Sequence, residues 1–224
     1  MLPSLTEIAK KYGTDKIYED HSHFGKSFMN IYEKYFESIR LEPIHFLEIG
    51  VFNGASLRSW REYFPNAVIH GIDIMPSCKQ YESPSENIFV HILDCSDEDA
   101  LRNFAKLFEN YFDVILDDGS HINTITLKTF KHLYSCLKKE SYYIIEDLGC
   151  CYIGSDLPDH LKYWPGTERI LNKEYSNNIQ DMFTFYSNMH AAIDWPKLQK
   201  DYHIEYMHHY TYIVIFRKNE YYKE

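Results

Sequence analysis

The chain has 224 residues, with 23 Lys and Arg against 33 Asp and Glu, a formal net charge of −10 and a pI near 5.6. That length suits one domain, and 45% hydrophobic with 17% aromatic residues supplies a full core, which excludes disorder as a global description. An acidic chain repels phosphate backbones, and no run of Lys or Arg exceeds a pair, so nucleic acid is not an expected partner.

From the start of the chain, the segment MLPSLTEIAKKYG has acids and polar groups where a signal peptide is apolar, and no apolar run approaches the roughly 20 residues of a membrane span. A cytoplasmic protein with no membrane partner is the expectation. Residues 4–40 are predicted to form an N-terminal helical cap. Short β-type runs then alternate with helical patterns, which predicts an α/β fold. The strands are expected at 44–49, 67–72, 88–93, 114–116 and 142–145, and most read as buried and parallel. Helices are expected at 56–63, 97–109 and 124–137, the last from Ile125, Leu127, Phe130, Leu133, Tyr134 and Leu137 at helical spacing. Residues 203–207 and 210–216 flank a tight His208-His209 junction and read as an antiparallel hairpin closing the sheet. Between the fifth strand and that hairpin lies a Tyr- and Asn-rich excursion, 148–200, placed to serve as a substrate lid. The chain therefore divides into a cap (1–40), a core (44–147), a lid (148–200) and a closing hairpin (201–218). The five cysteines, Cys78, Cys95, Cys136, Cys150 and Cys151, cannot all pair and form no C-x-x-C, so reduced thiols are expected.

In open α/β sheets ligands bind beyond the carboxyl ends of the strands. The first strand runs into Glu48-Ile49-Gly50-Val51-Phe52-Asn53-Gly54-Ala55-Ser56, a glycine turn opening into a helix. Phe52 stands where a dinucleotide fingerprint needs its second glycine, which argues against NAD or FAD. Taken alone, Gly50 and Gly54 have a tight strand-to-helix turn as the alternative reading. The second strand ends at Asp73, placed for the two hydroxyls of a ribose. The third ends near Asp94, placed for an exocyclic amine or, alternatively, as the N-cap of the next helix. The fourth and fifth end in Asp117-Asp118-Gly119-Ser120-His121 and Glu146-Asp147. If these strands are neighbours, Asp118, Glu146 and Asp147 converge, and three carboxylates at one edge call for a hard divalent cation, magnesium fitting best. The alternative is a turn at Asp118-Gly119 and a helix cap at Glu146-Asp147. His121 is placed to act as a base.

These residues resemble the class I S-adenosylmethionine-dependent methyltransferases, and within them the magnesium-dependent macrolide and sugar O-methyltransferases. The likeness runs through most of the chain: Lys11-Tyr12-Gly13-Thr14-Asp15-Lys16, Ile31-Tyr32-Glu33-Lys34-Tyr35-Phe36, Leu47-Glu48-Ile49-Gly50-Val51, Gly71-Ile72-Asp73, Asp117-Asp118-Gly119-Ser120-His121 and Ile145-Glu146-Asp147-Leu148. No single motif is decisive, but their order and spacing together are specific. The resemblance implies a Rossmann-like, mostly parallel sheet with helices on both faces and a C-terminal antiparallel hairpin. It implies that Glu48, Gly50, Asn53, Ser56, Asp73, Asp94 and Asp117 line the S-adenosylmethionine site, with Thr14 and Lys16 closing over its methionine end. It further implies that Asp118, Glu146 and Asp147 bind magnesium and that His121, with Asp118, is catalytic. Ser27-Phe28-Met29 departs from the His-x-Tyr that relatives often carry there, although His21 and His23 lie close by.

The expected reaction is methylation of a hydroxyl on a sugar or sugar nucleotide, from a surface polysaccharide or a natural-product glycoside. A nucleotide-linked or surface-polysaccharide sugar is favoured over a macrolide, because nothing resembles the extra N-terminal domain of some macrolide relatives. Tyr152, Tyr163, Trp164 and Tyr175 of the excursion suit stacking on sugar faces, lid core or an oligomer contact, which leaves room for a homo-oligomer. Lys162, Arg169 and Lys173 would offset the charge of a nucleotide diphosphate. Rival readings are a catechol-type O-methyltransferase and a non-catalytic S-adenosylmethionine-binding accessory protein, with a Rossmann oxidoreductase last.

Overall fold

A computed structural model describes residues 2–17, 27–148, 179–194 and 202–219. Its sheet has seven strands: β1 (His45–Ile49), β2 (Val68–Asp73), β3 (Ile88–Ile92), β4 (Phe112–Asp117), β5 (Leu137–Ile145), β6 (Ile204–Tyr210) and β7 (Ile213–Lys218). Their order is β3-β2-β1-β4-β5-β7-β6. The first five pair in parallel, whereas β7 runs antiparallel to both β5 and β6. The direction of winding reverses between β1 and β4, the place where doubly wound sheets leave a crevice.

The central strands are apolar on both faces because both are covered. Phe46, Val114, Ile144 and Ile215 point to one side, where α1 (Leu5–Tyr12), α2 (Phe28–Phe36) and α3 (Ala55–Tyr63) pack. Leu47, Ile115, Ile145 and Phe216 point to the other, beneath α4 (Glu98–Leu107), α5 (Asn123–Leu133) and α6 (Ile179–Asp194). The described helices α1 and α2, which fall within the stretch read as a cap, lie in the first layer. Its helix α1 opens on a capping box, in which Ser4 accepts from the Glu7 N–H while Glu7 accepts from the Ser4 N–H, and it closes on Gly13 at φ 72°.

The observed elements shift some expected boundaries. The fifth strand starts at Leu137, five residues early, because Lys138-Lys139-Glu140 extends it beyond the apolar run. The helix expected over 124–137 correspondingly stops at Leu133. The hairpin is present, but its turn is Thr211-Tyr212, with Tyr212 at φ 63°. His208 and His209 lie inside β6, paired with Ile215 and Val214. Of the expected excursion, only α6 and Leu148 fall within the described residues. Cys150, Cys151, Tyr152, Tyr163, Trp164, Tyr175, Lys162, Arg169 and Lys173 lie outside them, as do His21 and His23. Cys78, Cys95 and Cys136 are free thiols. No helix among the described residues is long and apolar enough to cross a membrane.

Candidate active site

Register brings the strand ends level. Ile49 pairs with Ile72 on one side and Asp117 on the other, and Asp117 pairs in turn with Ile145. The ladder continues one residue further: the Gly50 N–H donates to Ile72 O (2.8 Å), Asp118 N–H to Ile49 O (2.9 Å) and Glu146 N–H to Asp117 O (2.9 Å). Gly50, Asp118 and Glu146 therefore emerge side by side. Gly50, at φ 95°, is required there, because a Cβ would run into the Asp118 carbonyl.

At this edge Asp118, His121 and Asp147 each present a ligand atom, all within 4.8 Å of one another. The His121 Nε2 lies 3.9 Å from Asp118 Oδ1 and 3.7 Å from Asp147 Oδ2. His121 and Asp147 hold positive φ values of 53° and 54°, conformations that cost energy for residues with a side chain and recur at functional sites. The group is oxygen-rich and half-buried, a donor set suited to a hard cation.

Glu146, expected beside them as a third carboxylate, is turned the other way. It is 3% exposed, and its Oε1 accepts from the Tyr32 hydroxyl while its Oε2 is 2.7 Å from Lys16 Nζ. That ammonium also pairs with Asp118 and lies 3.6 Å from Glu48 Oε1. Burial alone would push the Lys16 amine down, but the charges of Asp118, Glu146 and Glu48 hold it well above its usual value. Burial also raises the Glu146 carboxyl well above the usual range, with Lys16 opposing and Asp118 and Asp147 adding to the rise. Glu48, fully buried, is pushed up to about 7 by desolvation, against the pull of Lys16 and of the Ser56 hydroxyl that donates to its Oε2 at 2.6 Å.

The remaining expected cofactor residues surround the β1 and β2 ends. Asp73 Oδ2 accepts from the N–H groups of Val51 (2.9 Å) and Phe52 (3.0 Å), and its Oδ1 from Met75 (2.8 Å), so this carboxylate ties the glycine turn to β2. Phe52 itself is 71% exposed at φ 50°. Asn53 Oδ1 accepts from the Ala55 N–H (2.9 Å) within the same turn, and Ser56 sits in the first turn of α3. Asp94 accepts from the Ser96 N–H (2.7 Å) and forms a turn; the N-cap of α4 is Asp97, whose carboxylate accepts from Asp99 and Ala100. Asp117 is buried, with Oδ1 accepting from the Gly119 N–H (3.2 Å) and Oδ2 without a hydrogen-bond partner among the described residues. Burial pushes its carboxyl up to about 7. Thr14 is buried beside Asp15, two residues before Lys16. Sequence reasoning assigned no role to Tyr32, the hydroxyl that fixes Glu146; its place on the apolar face of α2 reads simply as core.

No family model matches the chain. Among curated proteins it is 30% identical over 173 residues to the mycinamicin VI 2''-O-methyltransferase of Micromonospora griseorubida, an alignment covering 73% of this chain and 38% of that protein. It is also 30% identical to the L-olivosyl-oleandolide 3-O-methyltransferase of Streptomyces antibioticus (73% and 39% covered). A third relative is the 8-demethyl-8-alpha-L-rhamnosyl tetracenomycin-C 2'-O-methyltransferase of Streptomyces olivaceus, with 26% identity (85% and 47%). The chain thus spans less than half the length of these relatives. Among solved structures, the MycE methyltransferase of the mycinamycin pathway, in complex with Mg, SAH and mycinamycin VI, superposes with a TM-score of 0.71 at 25% identity, covering 97% of this chain and 55% of that one. The SAH-bound Podospora anserina methyltransferase PaMTH1 shares the fold with a TM-score of 0.54 at 18% identity. The sheet order and these neighbours define the class I methyltransferase fold. Within that class, the chain is homologous to the macrolide and sugar O-methyltransferases.

Proposed function

We propose that this protein is an S-adenosylmethionine- and magnesium-dependent O-methyltransferase that methylates a hydroxyl of a sugar, carried on a natural-product glycoside, a surface polysaccharide or a nucleotide. The observation that supports it best is the convergence of Asp118, His121 and Asp147 at the β4 and β5 ends, next to the Gly50 turn. Its cofactor pocket is formed by Glu48, Gly50, Asn53, Ser56, Asp73, Asp94 and Asp117, with Thr14 and Lys16 at the methionine end. The buried acceptor Asp117 Oδ2 lacks a partner among the described residues and suits a polar ligand there. Asp118, Glu146 and Asp147 hold the metal.

Bound magnesium supplies the positive charge that lowers the pKa of an alcohol, a poor nucleophile at neutral pH. The chain's own residues do the rest. His121 accepts the proton of the reacting hydroxyl, and the neighbouring carboxylates Asp118 and Asp147 stabilise the imidazolium that results. The level strand ends hold the hydroxyl oxygen in line with the methyl donor, and orientation of that kind provides much of the rate. Residues 148–200 serve as the lid over the sugar, with residues 1–40 as the cap, 44–147 as the core and 201–218 as the closing hairpin. The relatives named above transfer methyl groups to glycosides, which supports a sugar hydroxyl as the acceptor class. The protein works without nucleic acid or a membrane, and within the cytoplasm.

Calorimetric titration with S-adenosylmethionine, followed by radiolabelled methyl transfer to a panel of rhamnosyl and other deoxysugar glycosides, tests this reading. Binding in the wild type, at least tenfold weaker binding in Asp73→Ala, and transfer that stops in chelator and returns with magnesium are the expected results. Undiminished cofactor binding in Asp73→Ala refutes the ribose assignment, and transfer that persists in chelator refutes the metal.

A further inference from the structure

A single ammonium, Lys16 Nζ, sits among Asp118, Glu146 and Glu48, with its side chain only 3% exposed. Each of these carboxylates leaves a strand end that the fold holds rigidly: Glu48 from β1, Asp118 after β4 and Glu146 after β5. Lys16 arrives from outside the sheet, on a single helical turn (Asp15–Ile17) following Gly13. One ammonium faces three carboxyl groups. A lysine ammonium is a compact point charge on a flexible stem, the side chain most able to leave and return.

Glu146 shows what holding it costs the site. Both of its oxygens are engaged, one by Tyr32 and one by Lys16, so it is not available to the group formed by Asp118, His121 and Asp147. A dication and an ammonium also repel each other when they share carboxylates, and magnesium demands oxygens at about 2.0–2.1 Å, closer than an ammonium approaches.

The geometry points to Lys16 as a built-in stand-in for the divalent cation: it neutralises Asp118 and Glu146 in the metal-free protein, and magnesium displaces it to recruit Glu146. The exchange couples the N-terminal cap to metal loading. It also frees the ammonium for the carboxylate at the methionine end of the cofactor, so metal and cofactor binding reinforce each other. This inference rests on the proposed metal site and adds to it a competing internal cation.

Lysine acetylation of the native chain, read by peptide mass spectrometry with and without magnesium chloride at matched ionic strength, tests it directly. Lys16 should be strongly protected without metal and become at least tenfold more reactive with it, while the exposed Lys11 and Lys79 stay constant. Calorimetry on Lys16→Met should show magnesium binding at least tenfold tighter than in the wild type. If that variant fails to fold, labelling of the native chain decides alone. Magnesium that binds while Lys16 stays protected, or that binds Lys16→Met more weakly, overturns the exchange and leaves the metal site standing. No magnesium binding in the wild-type protein overturns both.

Discussion

Side chains at the strand ends are held by backbone that most residues avoid. Phe52, His121 and Asp147 all have positive φ, and each closely follows a strand whose carboxyl end lies at the candidate site. Replacing His121 with Ala should lower methyl transfer by about 10²–10⁴, the range a positioned base contributes, and leave S-adenosylmethionine affinity unchanged. Activity retained in that variant, measured by methyl transfer at saturating cofactor, excludes His121 as the base. The acids at this edge were legible in the sequence because an acidic residue directly after a β-branched run has few structural uses. The direction each one faces was not. Glu146 and Asp147 are adjacent in the chain yet point to different partners, and those of Glu146 are Tyr32, 114 residues away, and Lys16, 130 residues away. A tyrosine at a helical core spacing carries no sign that its hydroxyl will be spent on a carboxylate.

Among the elements, α3 shows how the first layer is secured. Trp60, fully buried, stacks on Phe46 of β1 at 5.0 Å and meets Tyr32 and Phe36 of α2 edge-on at 5.9 and 6.1 Å. Phe46 also contacts Phe36 and Phe64, so truncating it opens a cavity shared by two helices and the central strand. Phe46→Ala should cost about 3–5 kcal/mol of unfolding free energy, read from the urea midpoint at constant m-value. A loss below about 1 kcal/mol would show that the layer repacks. Strand existence and order could be anticipated from the apolar runs, because both faces are covered. Strand ends were harder. The start of β5 is polar where it passes beyond the helices, and its register with β4 shifts between Phe112 and Val114, so neither hydrophobicity nor alternation marks it. The hairpin turn was misplaced for a related reason: His208 faces Tyr35, whose hydroxyl bonds its Nδ1 at 2.8 Å, and a histidine with such a partner belongs in a strand.

For the molecule as a whole, the net charge of −10 conceals a second titrating assembly on the paired strands β2 and β3. His70 and His91, stacked on adjacent strands with rings 7° from parallel, share a hydrogen bond of 2.9 Å among Phe89, Phe104, Phe108 and Phe112. Burial, with His91 and His45 adding to it, pushes His70 down to about 3, and burial lowers His91 as well. A folded-state value below the unfolded one means that the stability contributed by neutral His70 is full above pH 6.5. That stability is lost as the pH falls from 6.5 towards 3, at about 1.4 kcal/mol per pH unit. Glu48 and Asp117, both pushed up to about 7, take up protons in the fold and act in the opposite sense, Glu48 between pH 7 and 4.5 and Asp117 between pH 7 and 3.8. The difference between wild type and His70→Phe isolates the histidine. The variant should gain on the wild type steadily as the pH falls from 6.5 to 4.5, judged by urea midpoints, and a constant difference would show that His70 titrates normally.

Tyr32 and Tyr35 are three residues apart on α2, close to one helical turn. One hydroxyl is spent on Glu146 at the end of β5, and the other on His208 and Tyr210 of the outermost strand. A helix pinned at two such places cannot tilt to suit one without pulling on the other. The outermost strand is therefore tied through α2 to the hydroxyl that holds Glu146, so His208 and Tyr210 bear on the placement of a carboxylate at the end of another strand.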